Sequence, residues 1–335
     1  MSKILKQNAI DVSHYKYSND LIPVSVKYNQ HKPAKLIFED FSEQDSVCIH
    51  CNEFSCIKND NELDSFLDLK NSQNYNICPT DAIKMSYSGI IEVDNEACIG
   101  CGLCVTSCPV GAIYLNKNHV AVINYDSDEI HYTNSSISFK NQNIQYENEV
   151  IRESEEHLSH IIKRINDMDF KITTINSLVF TGLNKLNLPT YLTRVGDVNT
   201  RMDAVGLYDD KNVVIEIELS ANLDSPRDVL DDVAVFCSRN SVDKNNVSGA
   251  IVLPEFPNKR TEFWELISDI KDVVDVDISV IPLTAILLFL WHRKDIKLED
   301  FLLGREKTST RDVINSTLRR DVNLDFPSNL IEAAK

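Results

Sequence analysis

Four cysteines fall within eleven residues in the stretch CIGCGLCVTSCPVGAI, residues 98–113. Cys98, Cys101, Cys104 and Cys108 follow the spacing C-x2-C-x2-C-x3-C, and Pro109 comes next. Thiolates are soft donors, so a group this dense serves zinc or an iron–sulfur cluster. The x2-x2-x3 run closed by Cys-Pro is the spacing of a [4Fe–4S] ligand set. Gly100 and Gly102 let the backbone wrap closely and turn its N–H groups inward. Pro109 opens a helix at a position where no N–H donor is required.

This run is the second of two copies, and a stretched first copy precedes it in the chain. Cys48, Cys51 and Cys56 form C-x2-C-x4-C, and Cys78 follows after 21 residues. CPTDAI at 78–83 repeats CPVGAI at 108–113, and each is followed by a hairpin pattern, IKMSYSGIIEVD and IYLNKNHVAVIN. This internal repeat resembles the two-cluster bacterial ferredoxin fold. The resemblance implies an α+β dicluster domain with two [4Fe–4S] clusters. Carried over residue by residue, Cys48, Cys51, Cys56 and Cys108 would hold one cluster. Cys98, Cys101, Cys104 and Cys78 would hold the other. In that arrangement three thiolates on a tight loop cap three irons, and the fourth, on the following helix, points to the second cube. The first copy departs from the pattern in its x4 spacing and in an insertion over roughly 57–76, so a [3Fe–4S] form stays open there. Two zinc sites would also use eight cysteines, but the repeated Cys-Pro does not suit them. A disulfide framework conflicts with a cytoplasmic location. The ninth cysteine, Cys237, lies in the apolar pattern VLDDVAVFC and reads as a buried structural thiol.

The elements that must position these residues change character along the chain. Residues 1–40 read as an N-terminal arm, 41–125 as the cysteine-bearing domain and 126–150, polar and rich in Asn and Ser, as a linker. From 151 to about 300 helices and strands alternate, and 301–335 reads as a C-terminal helical tail. Leu158, Ile161, Ile162 and Ile165 recur at helical spacing. RMDAVGLY and VVIEIELS read as strands joined by the turn YDDKN. Ser225 and Pro226 open a helix with Val229, Leu230, Val233 and Phe236 on one face. VSGAIVLP and VDISVI are further strands, separated by a helix carrying Phe263, Leu266, Ile267 and Ile270. This order predicts an α/β sheet covered by helices.

Asp203 is placed on the first strand of that hairpin, and Glu216 and Glu218 on the second. The period of two puts both glutamates on one face, away from Ile215, Ile217 and Leu219. Carboxylates gathered this way suit Mg²⁺ or Mn²⁺. The stretch resembles the restriction-endonuclease-like, PD-(D/E)XK superfamily over roughly 151–295. The resemblance implies a nuclease-like domain in which Asp203 matches the first acid and Glu216 the acid of E-x-K. Both would be metal ligands, and a helix acid would be sought at Glu155. Glu218 stands where the family has lysine. It is an added ligand or a base, with Arg227 a candidate replacement cation, or else the site is inactive. The plain alternative is that EIELS is a half-buried strand whose polar side meets water.

The formal charge of −17 opposes non-specific attraction to nucleic acid. All 12 arginines follow residue 150, which directs any search for a phosphate-bearing partner such as DNA to the second half. The longest apolar stretch, ISVIPLTAILLFLW, is shorter than a membrane helix needs and is interrupted by Pro282. It reads as a buried strand followed by a buried helix, so neither a membrane nor a secretory destination is expected, and the location expected is cytoplasmic. The composite expectation is an iron–sulfur protein with a nuclease-like domain, in which redox sensing or one-electron transfer is coupled to DNA binding or metal-dependent cleavage. The alternative is an electron-transfer subunit whose acidic surface steers to a redox partner protein and whose second domain is an inactive docking module. Clusters that serve only to stiffen a binding protein form a third reading.

Overall fold

The computed structural model describes residues 56–57, 76–85, 91–107, 113–115, 121–123, 157–158, 160–165, 168, 171–193, 201–219, 222–292, 294–303, 309–319 and 330–333. Cys48, Cys51, Cys108 and Glu155 lie outside the described residues. The chain divides into two compact units: Met1–Asp60 with Asn76–Asp167, and Asn61–Tyr75 with Met168–Lys335.

In the first unit two antiparallel hairpins follow the two Cys-Pro copies. β1 (Ile83–Met85) pairs with β2 (Ile91–Val93), and β3 (Ile113–Leu115) pairs with β4 (Ala121–Ile123). The short helix α1 (Leu103–Ser107) follows the cysteine loop and buries Leu103, Cys104 and Val105. Residues 157, 158 and 160–165 are helical, and Leu158, Ile161, Ile162 and Ile165 are buried as their spacing predicts. This helix belongs to the cysteine-bearing unit rather than to the second unit. The sequence pattern shows that a helix exists there but not which core its apolar stripe joins.

The second unit is built on a five-stranded sheet in the order β5-β6-β7-β8-β9. These strands are β5 (Thr190–Leu192), β6 (Ala204–Tyr208), β7 (Lys211–Ile217), β8 (Val247–Leu253) and β9 (Ile278–Pro282). β5, β6 and β7 run antiparallel, whereas β8 and β9 run parallel to β7. The β6–β7 hairpin turns at Asp209 and Asp210, both at positive φ (47° and 62°). Short Asp side chains tolerate that region, and the primed turn it makes matches strand twist. The parallel strands need crossovers, supplied by α3 (Ser225–Asn240) and α4 (Glu262–Val274). α3 turns Val229, Asp232, Val233 and Phe236 inward. With Val205, Val214, Ile251 and Val280 from the strands, its apolar members form one continuous core.

The alternate residues of the strands, among them Ala204, Ile215, Ile217, Ala250 and Val252, are buried on the opposite face. On the described residues, α2 (Ile172–Lys185) and α5 (Leu283–His292) pack together and touch the sheet. α2 and β5 were not anticipated. Thr173, Thr174, Asn176 and Ser177 interrupt the apolar spacing of α2, and β5 is only three residues long. α5 is buried all round and starts directly after Pro282. A proline at the end of a strand leaves no ladder donor unmet. α6 (Thr310–Leu318) is capped by Ser309, whose side chain accepts from the Asp312 N–H. Among the described residues no helix is long and apolar enough to cross a membrane.

α3 lies so close to β8 that the backbone of Gly249 faces the Val229 side chain directly, with Ile278 Cγ1 3.3 Å from where a β-carbon would stand. Gly249→Ala should therefore destabilise the second unit by about 1–3 kcal/mol. Val229→Ala in the same chain should recover part of the loss. A double-mutant cycle by thermal unfolding checks this, with a coupling of opposite sign to the single losses expected.

Candidate functional site

The cysteines of the second copy converge. Cys98, Cys101 and Cys104 are buried, as is Cys56, and Cys78 is partly buried. Burial pushes the Cys104 thiol well up, and Cys101, Cys98, Cys78 and Cys56 add to that in decreasing order. Burial likewise pushes Cys101 far up, and Cys78 is its leading charged neighbour. The structure thus brings Cys78 near Cys98, Cys101 and Cys104. Cys56, from the first copy, is the weakest contributor to Cys104.

The loop between these cysteines is shaped by glycines. Gly100 and Gly102 have φ of 74° and 77°, where a β-carbon would strain the chain. Amide donors reach the sulfurs. The Ala82 N–H donates to Cys78 Sγ at 3.2 Å. The N–H groups of Leu103 and of Cys101 itself serve the Cys101 sulfur and pull its pKa back down. Buried thiols crowded by one another stay protonated unless a cation takes the protons' place, and metal binding releases them. Donors aimed at sulfur, a dry pocket and four cysteines fit a [4Fe–4S] group. Among the described residues no three His, Cys, Asp or Glu side chains close around a single metal ion, and a four-iron cube needs its thiolates farther apart than one ion does.

In the second unit, Asp203 immediately precedes β6, one residue short of the strand expected for it. Its backbone carbonyl is taken by the Thr193 N–H at 3.0 Å. The register Ala204↔Ile215 sets Asp203 opposite Glu216. Asp203 Oδ2 accepts from the Ile217 N–H at 3.0 Å, and Oδ1 accepts from Asn176 Nδ2 at 3.0 Å. Asn176 is buried on α2, and its own Oδ1 has no hydrogen-bond partner among the described residues. Asp232, 4% exposed on the inward side of α3, is close enough to bear electrostatically on Asp203 and Glu216.

These acids repel. Burial pushes Glu216 up to about 9, with Asp203, Asp232, Glu218 and Asp228 adding to it in that order. Burial raises Asp232 to about 6 against the pull of the Arg201 guanidinium, whose Nε lies 3.7 Å from Asp232 Oδ1. Burial also raises Asp203, opposed by its two hydrogen bonds.

Glu218 departs from expectation. β7 ends at Ile217, although the Glu218 N–H still bonds the Val252 carbonyl at 2.9 Å. Its Oε1 accepts from the Ser225 hydroxyl and from Asn222 Nδ2. The carboxylate therefore ties the end of β7 to the start of α3. Arg227 pairs with Asp224 at 2.6 Å on the surface and not with the acid group. Sequence reading missed Asn176, Arg201 and Asp232. Asp232 left a signal, because it sits three residues after Val229 and four before Phe236, on the apolar face of the helix.

Residues 91–114, which include Cys98, Cys101, Cys104 and Cys108, match the 4Fe–4S binding domain family. The chain is 56% identical over 45 residues to an uncharacterized ferredoxin of Methanocaldococcus jannaschii, 13% of this chain and 28% of that protein. It is 31% identical over 70 residues to a subunit of the tetrathionate reductase of Archaeoglobus fulgidus, 21% of this chain and 25% of that protein. It is 30% identical over 74 residues to the formate dehydrogenase iron–sulfur subunit of Wolinella succinogenes, 22% of this chain and 28% of that subunit. The matched stretch spans about a quarter of the length of these relatives. The protein carries an iron–sulfur domain of ferredoxin type.

The raised Glu216 carboxyl yields a stability prediction. Its folded pKa lies near 9, above the ordinary 4.5. The folded state therefore binds this proton more tightly, and stability is lost as pH rises from the lower value through the higher. Glu216→Gln should remove that loss. With divalent metal chelated, the variant should melt higher than wild type at pH about 8 and match it near pH about 5, by linkage of the one proton. Equal melting curves at both pH values would contradict the burial of the charge.

Proposed function

We propose that this chain is a one-electron carrier of the ferredoxin type with a nuclease-like second unit. The observation that carries the first part is the convergence of Cys78, Cys98, Cys101 and Cys104 in a buried loop lined with amide donors. Those four would hold one [4Fe–4S] cluster, and Cys48, Cys51, Cys56 and Cys108 a second. Each cluster, when bound, supplies reversible uptake of one electron. The chain's own part is to exclude water, to hold the thiolates and to direct N–H dipoles at sulfur, which favours the more negative reduced form. Two of the relatives are named as subunits of a tetrathionate reductase and a formate dehydrogenase. A redox partner protein fits that precedent, and the charge of −17 would steer it through a basic face.

Anaerobically purified protein should contain about eight iron and eight sulfide per chain, with reversible EPR signals on reduction by dithionite, as two such clusters demand. Cys104→Ser should lose about half of the iron, since removing one ligand dismantles one site. Zinc in place of iron and sulfide would overturn the reading.

A specific observation favours the nuclease-like second unit. Asp203 and Glu216 face each other where the antiparallel hairpin meets the parallel strands, with Asp232 close enough to bear electrostatically on both. An α/β sheet binds ligands at such a point beyond its strand ends. Hard oxygen donors of this kind suit Mg²⁺ or Mn²⁺. Asp203 and Glu216 would hold the ion. Bound, it would polarise a phosphodiester and activate water. Glu218, tied to Ser225, would brace the site rather than act as its base. In this reading DNA is the substrate or ligand. In the presence of Mn²⁺ the protein should melt higher and cut or retain DNA, and Asp203→Ala should abolish both effects. No Mn²⁺ shift and no salt-sensitive DNA binding would leave the second unit a docking module for the redox partner.

A further inference from the structure

The helical residues 157–158 and 160–165 set an unexpected side chain against the cysteine loop. His157 is fully buried, and its Nε2 lies 2.6 Å from the carbonyl oxygen of Gly100. A carbonyl can only accept, so Nε2 carries the proton and donates it. Gly100 stands between Cys98 and Cys101. His160, three residues on, stacks on His157 with ring centroids 6.4 Å apart and planes 14° from parallel. Arg164, on the same helix face, donates through Nη2 to the carbonyl of Glu96 at 2.6 Å. One helix face therefore grips two carbonyls of the loop that leads through Cys98 to Cys101.

The Gly100 carbonyl and the Cys101 N–H belong to one peptide unit. A trans peptide is planar, so its C=O and N–H point in opposite directions. Holding the oxygen fixes the direction of the N–H. That N–H is one of the two that serve the Cys101 sulfur. A donor on the oxygen also polarises the unit and strengthens the bond its N–H makes.

We propose that His157 is a positioning residue for the cluster held by Cys78, Cys98, Cys101 and Cys104: through the Gly100–Cys101 peptide it aims and strengthens the N–H bond to the Cys101 sulfur, and it makes that cluster easier to reduce. The inference rests on the cluster reading above and concerns a residue outside the cysteine repeat. The reduced cluster carries one more negative charge, so a stronger N–H dipole at its ligand favours reduction.

The experiment is an anaerobic dithionite titration of the full chain, followed by EPR, with iron and sulfide counted in every sample. Wild type is compared with His157→Leu and His157→Phe, which lack a donor, and with His157→Gln, which keeps one. Iron at the wild-type level is expected in all four. At a fixed ambient potential, the reduced-to-oxidised ratio of one cluster should fall about five- to tenfold in the donor-less variants, tenfold being 59 mV for one electron. The ratio should stay near wild type in His157→Gln. Two donor-less variants with full clusters and unshifted potentials would overturn the proposal. Loss of the cluster in His157→Gln as well would assign the residue to packing alone and overturn it too. A wild-type protein without iron and sulfide would instead defeat the cluster reading on which the proposal stands.

Discussion

The structure depends on one constraint in both units: groups that ionise to the same sign are gathered out of water. Four thiols do this around Cys101 and Cys104. Asp203, Glu216 and Asp232 do it in the second unit. Burial alone holds such groups in their protonated, neutral form, and each neighbour that ionises makes the next ionisation harder. A fold that keeps such clusters without a cation gives up stability to do so. Three of the thiols, Cys98, Cys101 and Cys104, lie in the stretch that matches the 4Fe–4S binding domain family, and the acid group keeps the Arg201 guanidinium 3.7 Å from Asp232. The donor chemistry differs between the two. Sulfur with amide N–H groups aimed at it matches iron and sulfide, whereas the Asp203 oxygens are taken by the Asn176 amide and the Ile217 N–H.

The two units meet this constraint by different routes. In the first, three of the thiols come from a loop whose glycines take positive φ, so local conformation gathers Cys98, Cys101 and Cys104, and Cys78 joins them from the preceding copy. In the second, distant segments are needed. Asp203 and Glu216 are brought face to face by hairpin register, and Asp232 arrives on the crossover helix. Glu218 shows how such a scaffold is kept in place. Its carboxylate takes the Ser225 hydroxyl, which anchors α3 to the end of β7 and so fixes where Asp232 stands. Glu218 thus bears on the acid group through the backbone it holds.

How much of this was legible depends on the range of each interaction. The cysteine set could be read because its ligands lie within a few residues of one another and recur as a repeat. The β6–β7 hairpin could be read because Asp209 and Asp210 mark its turn and the strands alternate around it. α2 escaped because its Thr, Ser and Asn residues are buried and blur the apolar stripe. With it escaped Asn176, whose contact with Asp203 spans 27 residues. Asp232 was visible only as an acid on an apolar helix face, a pattern that gains meaning once Glu216 is known to face it. No spacing rule links His157 to Gly100, 57 residues away.

That last contact changes what counts as the cysteine-bearing domain. A tight loop around a cofactor turns its N–H groups inward and leaves carbonyls pointing outward. Buried carbonyls need donors, and a polar group left unmatched costs more than a matched one contributes. The buried Gly100 carbonyl obtains its donor from His157, and the exposed Glu96 carbonyl accepts from Arg164. The apolar side of the same helix, Leu158, Ile161, Ile162 and Ile165, is buried as well. The helix therefore completes both the polar and the apolar requirements of the cysteine-bearing unit, although a polar stretch of sequence separates it from the last cysteine of the repeat. Chain order alone assigns it to the second unit. Hydrogen bonding and burial assign it to the first, directly behind the peptide that faces the Cys101 sulfur.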